Sequence, residues 1–201
     1  IAGTLNNLAE LLRTRARYEE AESLYRRALT IRSDVLPAGD PDIAPSLNGL
    51  AVLLQQTHRI GEAETLYRKA LDLQQRALPI GHPHIAGSLN NLAALMLASS
   101  RFDEAEPLFR ETLSIQRNAL PPGHPDIAGS LNNMAMLLQA TGRTDEAEPL
   151  FREALAMRQI SLPAKHPDIA TSLGNLARCL QETNRPEEAE ALYREALDLR
   201  S

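Results

Sequence analysis

Apolar residues recur along the chain with the spacing of one face of an α-helix. Ile43, Leu47, Leu50 and Leu54 follow the i, i+4, i+7 pattern of an amphipathic helix. A second stripe of the same kind occupies residues 63–78. No stretch alternates apolar and polar residues as a half-buried strand requires. The pattern therefore predicts a pair of helices and no strand.

This pair of helices recurs every 42 residues. Isoleucine followed by alanine opens each of the five copies, and 11 of the 33 positions shared by all copies are identical. A single central core gives no reason for such a register, whereas a stack in which each unit contacts only its neighbours does. We therefore expect one domain, residues 1–201, built of five repeats: 1–42, 43–84, 85–126, 127–168 and 169–201.

Proline, glycine and charged residues mark the ends of these helices. Pro41, Pro83, Pro125 and Pro167 are expected at the first helical position, where the missing N–H costs nothing. The second helix of every copy carries a glutamate four residues before an arginine, the order that stabilises an exposed helix. These pairs are Glu22/Arg26, Glu64/Arg68, Glu106/Arg110, Glu148/Arg152 and Glu190/Arg194.

The second copy shows the motif most completely. It contains Leu47, Leu50, Ala51 and Leu54 in the first helix, Arg59 at the turn, and Ala63, Tyr67, Ala70 and Leu71 in the second helix. This pattern resembles the tetratricopeptide repeat, whose usual unit is about 34 residues long. The longer unit, with Ser-Leu-Asn-Asn-Leu-Ala at 88–93 and His-Pro-Asp-Ile-Ala at 124–128, is similar to the repeats of kinesin light chain and its bacterial relatives.

The resemblance covers all five copies and implies a fold. It implies an all-α, right-handed α-solenoid of five tandem helix-turn-helix repeats, in which the first helices line a concave surface. Two positions depart from the family pattern. Leu47 and its equivalents replace the usual large aromatic residue, and the glycine of the turn occurs only as Gly142. Neither departure changes the predicted fold.

Helical geometry predicts which residues of the first helices face away from the core. If Leu47 and Leu54 face inward, the opposite side carries positions 45, 48, 52 and 55 of the second copy. Asparagine recurs at the second of these positions in four copies. An asparagine side chain can both donate to and accept from the backbone of an extended peptide. It is also a mediocre helix former, so its recurrence in a helix needs a reason.

The asparagines admit a second interpretation, in which they bond neighbouring helices or merely reflect duplication of the repeat. The resemblance favours peptide contact, because tetratricopeptide grooves use asparagine at such positions. The middle of the expected groove is apolar, which suits a hydrophobic ligand side chain. The candidate peptide-binding residues are Asn6, Asn48, Asn90, Asn91, Asn132, Asn133, Val52, Gln55, Ala94, Leu97, Met136, Gln139 and Arg178.

Two further columns of polar residues recur. The first is on the second helix, where long side chains could reach the groove or pair with loop carbonyl groups; it comprises Arg32, Gln74, Gln116, Arg158 and Arg200. The second is an arginine at every turn within a helix pair, which we interpret as structural; it comprises Arg17, Arg59, Arg101, Arg143 and Arg185.

Charge and composition exclude several classes of protein. The net charge of −5 argues against a nucleic-acid binder that relies on phosphate contacts. Cys179 is the single cysteine, so no internal disulfide can form, and it replaces a core leucine. No apolar run approaches the ~20 residues of a membrane span. The chain begins at Ile1 without a signal-peptide pattern, and we expect a soluble, cytoplasmic piece of a longer chain.

No catalytic or metal-binding pattern is found. His82, His124 and His166 recur once per repeat, too far apart to share one metal ion. His82 and His84 flank Pro83, where capping of the loop is favoured over binding of a stray ion. There is no glycine-rich phosphate loop and no Ser/His/Asp arrangement. We expect no enzyme activity, no cofactor and no metal site.

The sequence therefore predicts a scaffold or adaptor that binds an extended protein or peptide segment in a concave groove. A structural module that assembles end to end is the alternative from another class. Ile1 begins inside a predicted helix, and Leu192, Leu197 and Leu199 end the last helix with no polar capping helix after them. Self-association through these ends would need no dedicated ligand.

Overall fold

A computed structural model describes residues 1–199 and divides the chain into two compact units, 1–99 and 100–201. Arg200, a member of the second-helix column, lies outside the described residues. The first unit contains α1 (Ala2–Thr14), α2 (Tyr18–Val35), a 3-10 helix (Pro41–Ile43), α3 (Ala44–Gln56), α4 (Ile60–Ala77) and α5 (Pro83–Ala98). The second contains α6 (Phe102–Ala119), α7 (Pro125–Ala140), α8 (Thr144–Ser161), α9 (Pro167–Glu182) and α10 (Pro186–Asp198).

The predicted all-α fold class of tandem helix-turn-helix repeats is confirmed, since residues 1–199 contain no strand. Odd-numbered helices are the first helices of the repeats, and even-numbered helices are the second. The boundary between the units falls inside the repeat 85–126, between α5 and α6. The single domain expected for residues 1–201 stays a prediction.

Histidine caps the first helix in three repeats. The Nδ1 atoms of His82, His124 and His166 each accept a hydrogen bond at 3.2 Å from the main-chain N–H two residues further on. Asp40 accepts the equivalent bond from the N–H of Asp42 at 2.9 Å. These side chains satisfy a helix N–H that has no partner within its own helix. The capping expected at His82 is confirmed, and His124 and His166 make the same bond without having been predicted to.

The second repeat starts differently from the others. Pro41 was expected at the first position of an α-helix, as Pro83 is, but it opens a 3-10 helix and α3 starts at Ala44. Pro45 explains the difference. It has no N–H to donate to the carbonyl of Pro41, so the first turn closes instead through the N–H of Ala44.

The turns within the helix pairs share a left-handed residue. Gly142 adopts φ +76°, and Ala16 and His58 adopt φ +57° and +62° at the equivalent positions. This conformation costs a residue with a Cβ about 1 kcal/mol, so the turn keeps its shape where glycine is absent. The absence of the family's turn glycine therefore leaves the fold intact.

The hydrophobic core lies at the contacts between repeats. In the first unit, Ile43, Ala44, Leu47 and Ala70 form a buried cluster. Its partly buried neighbours are Leu29, Leu36, Leu66 and Leu73. The second unit builds the same junction from residues 84 positions later, including Ile127, Leu131 and Ala154. Each junction buries a large aromatic residue of the second helix; these are Tyr25, Tyr67, Phe109 and Phe151.

Cys179 is fully buried in α9, as expected for a cysteine that replaces a core leucine. Its thiol lies 3.8 Å from the carbonyl oxygen of Thr144. Burial raises the pKa of the Cys179 thiol, which keeps it protonated and unreactive.

Arg59, Arg143 and Arg185 each join their own repeat to the preceding one. Arg59 donates from Nη1 to both carboxylate oxygens of Glu22 in the preceding repeat, at 2.9 and 3.0 Å. It also binds Glu62 of its own repeat at 2.7 Å. Glu22 in turn accepts from Arg26, four residues later. We call this arrangement the arginine clamp.

The arginine clamp recurs in the second unit with the same geometry. Arg143 binds Glu106 of the preceding repeat at 3.0 Å, and Arg185 binds Glu148 at 2.8 and 2.9 Å. Because each guanidinium holds two carboxylates on different helices, it fixes the distance between neighbouring repeats. The structural role predicted for the turn arginines is confirmed at these positions.

We predict that Gly49→Ala destabilises the first unit by about 1–3 kcal/mol. A Cβ at Gly49 would lie 2.5 Å from Cε1 of Tyr25, a side chain that is 2% exposed and cannot move aside. Gly87→Ala is the matched control, because nothing lies within 4 Å of its Cβ. That change should stabilise by about 0.5–1 kcal/mol. Urea denaturation of both variants tests the pair, and equal effects would contradict the packing of Tyr25 on α3.

We predict that Glu106→Gln costs about 1 kcal/mol at neutral pH and little at acid pH. Hydrogen bonds from Arg110 and Arg143 hold the pKa of Glu106 below its usual 4.5. A folded-state pKa below the unfolded value gives stability that is present above pH 4.5 and lost as the pH falls through the folded value.

Thermal unfolding as a function of pH measures this dependence. Glu111→Gln is the control, since Glu111 is an exposed residue of the same helix. A difference between Glu106→Gln and the wild type that persists unchanged at acid pH would count against the clamp.

Candidate peptide-binding wall on the first helices

Within each unit the first helices lie closer together than the second helices. In the first unit, α3 has Cα atoms within 8 Å of both α1 and α5, whereas the described residues of α2 and α4 have no such pair. In the second unit α7 and α9 approach in the same way, and the described parts of α6 and α8 do not. Each unit therefore bends toward its first helices. We call the exposed side of these helices the first-helix wall.

The splayed second helices leave grooves on the other side of each unit. The groove between α2 and α4 has a volume of about 490 Å³ and is lined by Arg26, Leu54, Glu62 and Leu66. Gly61 also lines it, at a position where the other copies have an acidic side chain. A groove of about 340 Å³ between α6 and α8 has Leu113, Met134 and Leu150 among its lining residues. Neither groove was predicted from the sequence, although Gly61, which replaces an acidic residue, could have indicated the groove between α2 and α4.

The asparagine column lies at the contacts between first helices. Asn6 donates from Nδ2 to Oγ of Ser46 in the next repeat at 3.1 Å, and Asn48 does the same to Ser88 at 2.8 Å. Asn132 is only 7% exposed. The asparagines therefore bond neighbouring helices, as one of the two interpretations of the column expects. Contact of these asparagines with a peptide stays a prediction.

Asn132 has its own set of partners. Its Oδ1 accepts from Nδ2 of Asn175 at 2.9 Å, and its Nδ2 lies 3.4 Å from the sulfur of Met136. Asn48 differs, because its Oδ1 is covered from solvent and has no hydrogen-bond partner. A buried acceptor without a hydrogen-bond partner lowers the stability of the folded protein. Asn90, Asn91 and Asn133 are half-buried.

The second-helix column reaches the same junction serines. Arg32 donates from Nη1 to Oγ of Ser46, and Arg158 donates to Ser172 at 2.6 Å and to the carbonyl of Asp168 at 3.3 Å. Burial lowers the pKa of Arg158. The sequence leaves open whether these arginines reach the groove or bond a loop carbonyl. Arg158 bonds the carbonyl of Asp168, which lies in the first turn of α9 and not in a loop, and neither alternative named the serine.

Glutamine takes the place of arginine in the other two copies. Gln74 and Gln116 are 3% and 4% exposed, and the Oε1 atom of each has no hydrogen-bond partner. These side chains are shorter than arginine and stay beneath the surface. They belong to the packing between helices rather than to the first-helix wall.

A column of glutamines on the first-helix wall is held by second-helix or neighbouring side chains. Tyr67 donates to Oε1 of Gln55 at 3.3 Å. Arg178 donates to Oε1 of Gln139 at 3.2 Å, while Nε2 of Gln139 has no partner. Burial raises the pKa of Tyr67, so its hydroxyl remains a donor.

The first repeat carries a charged version of this arrangement. Glu10 accepts from the hydroxyl of Tyr25 at 2.8 Å and from Nε of Arg13 at 2.9 Å. The bond from Arg13 is the main reason that the pKa of Glu10 is lowered. Burial and Glu10 together raise the pKa of Tyr25. This part of the wall therefore carries a fixed carboxylate beside a fixed guanidinium.

The apolar members of the wall are partly accessible. Val52, Ala94, Leu97 and Met136 are all half-buried, and Arg178 is exposed. Val52, Ala94 and Leu97 belong to the first unit, and Met136 belongs to the second. Half-burial leaves an apolar side chain able to contact a ligand while its packing limits its motion.

The sequence matches the Tetratricopeptide repeat family in four overlapping segments, residues 1–76, 42–118, 84–160 and 126–201. The chain belongs to the tetratricopeptide repeat family. Proteins of this family generally mediate protein–protein interactions and generally have no enzymatic activity. The comparison with curated protein sequences gave no match.

Two solved structures indicate which type of tetratricopeptide repeat this chain contains. The TPR-like repeats of a Podosopora anserina protein described as kinesin light chain are 26% identical, with a TM-score of 0.77, covering 98% of this chain and 93% of that one. BtubC (BKLC) from P. vanneervenii is 27% identical with a TM-score of 0.82, covering 98% and 78%. The repeats are thus of the 42-residue, kinesin-light-chain-like type.

A more distant tetratricopeptide structure shares the fold. The Rap conjugation gene regulator of plasmid pLS20, solved in complex with the Phr* peptide, is 17% identical with a TM-score of 0.77. The match covers 95% of this chain and 51% of the regulator.

Among residues 1–199, no three histidine, cysteine, aspartate or glutamate side chains come together as a metal site. No helix in that part of the chain combines the length and the hydropathy of a membrane span.

Proposed function

We propose that this tetratricopeptide repeat protein is a scaffold that binds an extended peptide segment of a partner protein along the first-helix wall. The observation that carries the proposal is the inward bend of each unit, which gathers half-buried apolar side chains and anchored amides on one side. An extended segment buries apolar side chains and also needs partners for its backbone N–H and C=O groups.

Asn48 supports a role in recognising the peptide backbone. Its Nδ2 is committed to Ser88, which fixes the amide and leaves Oδ1 as a hydrogen-bond acceptor without a partner. A peptide N–H could pair with this atom only after the groups that cover it move, and it would then recover the free energy that the unpaired acceptor costs. Asn6 and Asn132 have both amide groups engaged, so we expect them to contribute mainly by fixing the spacing of the helices.

The apolar residues support binding of a hydrophobic ligand side chain. Val52, Ala94 and Leu97 lie on neighbouring first helices of one unit, so a single side chain could contact more than one of them. Peptide binding in the same family, as in the Rap regulator solved with the Phr* peptide, is consistent with this use of the fold.

The grooves between second helices are the competing surface. An ion pair between Arg117 and Glu153 at 2.9 Å lies at the rim of the groove between α6 and α8. A ligand in that groove would have to compete with this pair. We favour the wall because its apolar side chains are already partly accessible.

We predict that Leu97→Asn lowers affinity for a peptide selected from a displayed random library by about tenfold or more. The probe is the peptide enriched against the wild-type protein, with affinity measured by isothermal titration calorimetry. The physical reason is loss of apolar contact on the first-helix wall. Met136→Asn tests the same surface in the second unit.

Leu66→Asn and Leu150→Asn are the matched controls. Both leucines are half-buried and line the grooves between second helices. Affinity lost in the controls and kept in Leu97→Asn and Met136→Asn would contradict the proposal. Thermal unfolding of all four variants separates lost binding from lost folding.

Self-association through the first and last helices stays a separate prediction. Light scattering over a range of protein concentrations tests it, and a mass that does not rise with concentration would contradict it.

A further inference from the structure

Two surfaces of this chain match the two sides of a junction between repeats. We call them the first-repeat face, formed by Ile1, Leu8, Leu11 and Arg17, and the α10 face, formed by Glu190 and Leu197. Four of the seven large apolar side chains that are exposed among the described residues lie on these faces. Clustered exposed apolar side chains are typical of an interaction surface, whereas single scattered ones are normal.

The leucines of the first-repeat face have counterparts that later repeats bury against the repeat before them. Cys179 is the counterpart of Leu11, and its thiol lies 3.8 Å from the carbonyl oxygen of Thr144 in the preceding repeat. Met134 is the counterpart of Leu8 and lines a groove together with Leu113 of the preceding repeat. Leu8 and Leu11 have no repeat before them in the structure, and both are exposed.

Leu197 is the matching apolar side chain of the α10 face. Its counterpart in the first repeat is Leu29, which packs on the buried cluster around Ile43 at the start of the next repeat. Leu197 itself is 65% exposed. The counterpart of Ile43 in the first repeat is Ile1, so the apolar groups that meet at a junction are present on the two faces.

Arg17 carries one half of an arginine clamp on the first-repeat face. It binds Glu20 through Nε and Nη2, as Arg59 binds Glu62. Nη1 of Arg59 donates to the glutamate of the preceding repeat. Nη1 of Arg17 bonds no side chain in the described part of the chain, so this donor remains available.

Glu190 carries the other half of the clamp on the α10 face. Its counterpart Glu148 binds Arg152 in its own helix and Arg185 of the following repeat, and the side chain of Glu148 is 20% exposed. Glu190 binds Arg194 in the same way, but its side chain is 61% exposed. Among residues 1–199, no arginine occupies the place beside Glu190 that Arg185 occupies beside Glu148. The two faces are therefore complementary in charge as well as in apolar surface.

We propose that a second copy of this chain docks its first-repeat face on the α10 face, so that Arg17 of one copy binds Glu190 of the other. Leu197 then packs beside Ile1, and the contact combines apolar burial with an arginine clamp, as the junctions within each unit do. Because the two faces differ, a pair of copies leaves one face of each kind open, and further copies can add. Peptide binding on the first-helix wall is not needed for this contact.

Reversal of one charge on either face tests the contact. In Arg17→Glu two acidic side chains would meet, and in Glu190→Arg two basic side chains would meet, so each variant alone should remain monomeric. A mixture of the two variants brings the unchanged α10 face of the first together with the unchanged first-repeat face of the second. Association should therefore return when the two variants are mixed.

Sedimentation equilibrium over a range of protein concentrations measures the association. The weight-average mass of the wild type should rise with concentration, and each single variant should associate at least about tenfold more weakly. Arg76→Glu and Glu111→Arg are the matched controls, because both side chains are exposed and lie in repeats between the two faces. The controls should associate as the wild type does.

Three results would overturn the proposal. A wild-type mass that stays at that of one copy would leave the two faces to other occupants, such as a neighbouring repeat of a longer chain. Association that both single variants retain would assign the contact to another surface. Variants that stay monomeric when mixed would exclude pairing of Arg17 with Glu190.

Thermal unfolding of each variant shows whether it is folded. If a charge variant fails to fold, Leu11→Asn replaces it, because Leu11 is already exposed and its substitution should leave the unfolding midpoint nearly unchanged. Leu11→Asn should weaken association of the wild-type faces, and unchanged association would count against the proposal.

Discussion

Each repeat of this protein buries its apolar surface against the next repeat, and the remaining features depend on that contact. Leu53 is fully buried, whereas Leu11, at the same position of the first repeat, is 47% exposed because α1 has a neighbouring repeat on one side only in the structure. Burying a leucine contributes roughly 1.5–3 kcal/mol. Hydrophobic burial has no preferred direction, and the arginine clamp supplies one. Nη1 of Arg59 and of Arg143 each donates to both carboxylate oxygens of a glutamate in the preceding repeat, which fixes the spacing of the two repeats.

The same contact determines where a ligand could bind. Within each unit the first helices lie closer together than the second helices. Asn6 and Asn48, which bond the serines of the next repeat, therefore lie between neighbouring first helices. Gln55 and Gln139, about two turns further along the first helix, are half-buried and contact a tyrosine or an arginine. A surface whose side chains are already fixed loses little entropy when a peptide binds. Stability and recognition thus use neighbouring positions of one helix.

Much of the fold could be predicted from the repeat itself. The 42-residue period and the helical stripes predicted the helix pairs, and single residues such as Arg59 and Cys179 have their expected roles. The prediction failed where two nearby features compete, as when Pro45 shortens the start of α3. The site was harder, because bonds such as Asn132 to Asn175 join residues in different repeats. Their formation depends on the distance between helices, which periodicity does not give.

Methyl NMR on the peptide-bound protein tests the central claim most directly, because apolar residues line both candidate surfaces. Titration with the library-selected peptide should shift the methyl signals of Val52, Ala94, Leu97 and Met136 on the first-helix wall. The methyl signals of Leu66, Leu113 and Leu150 in the grooves between second helices should stay unchanged. The reverse pattern would contradict the account.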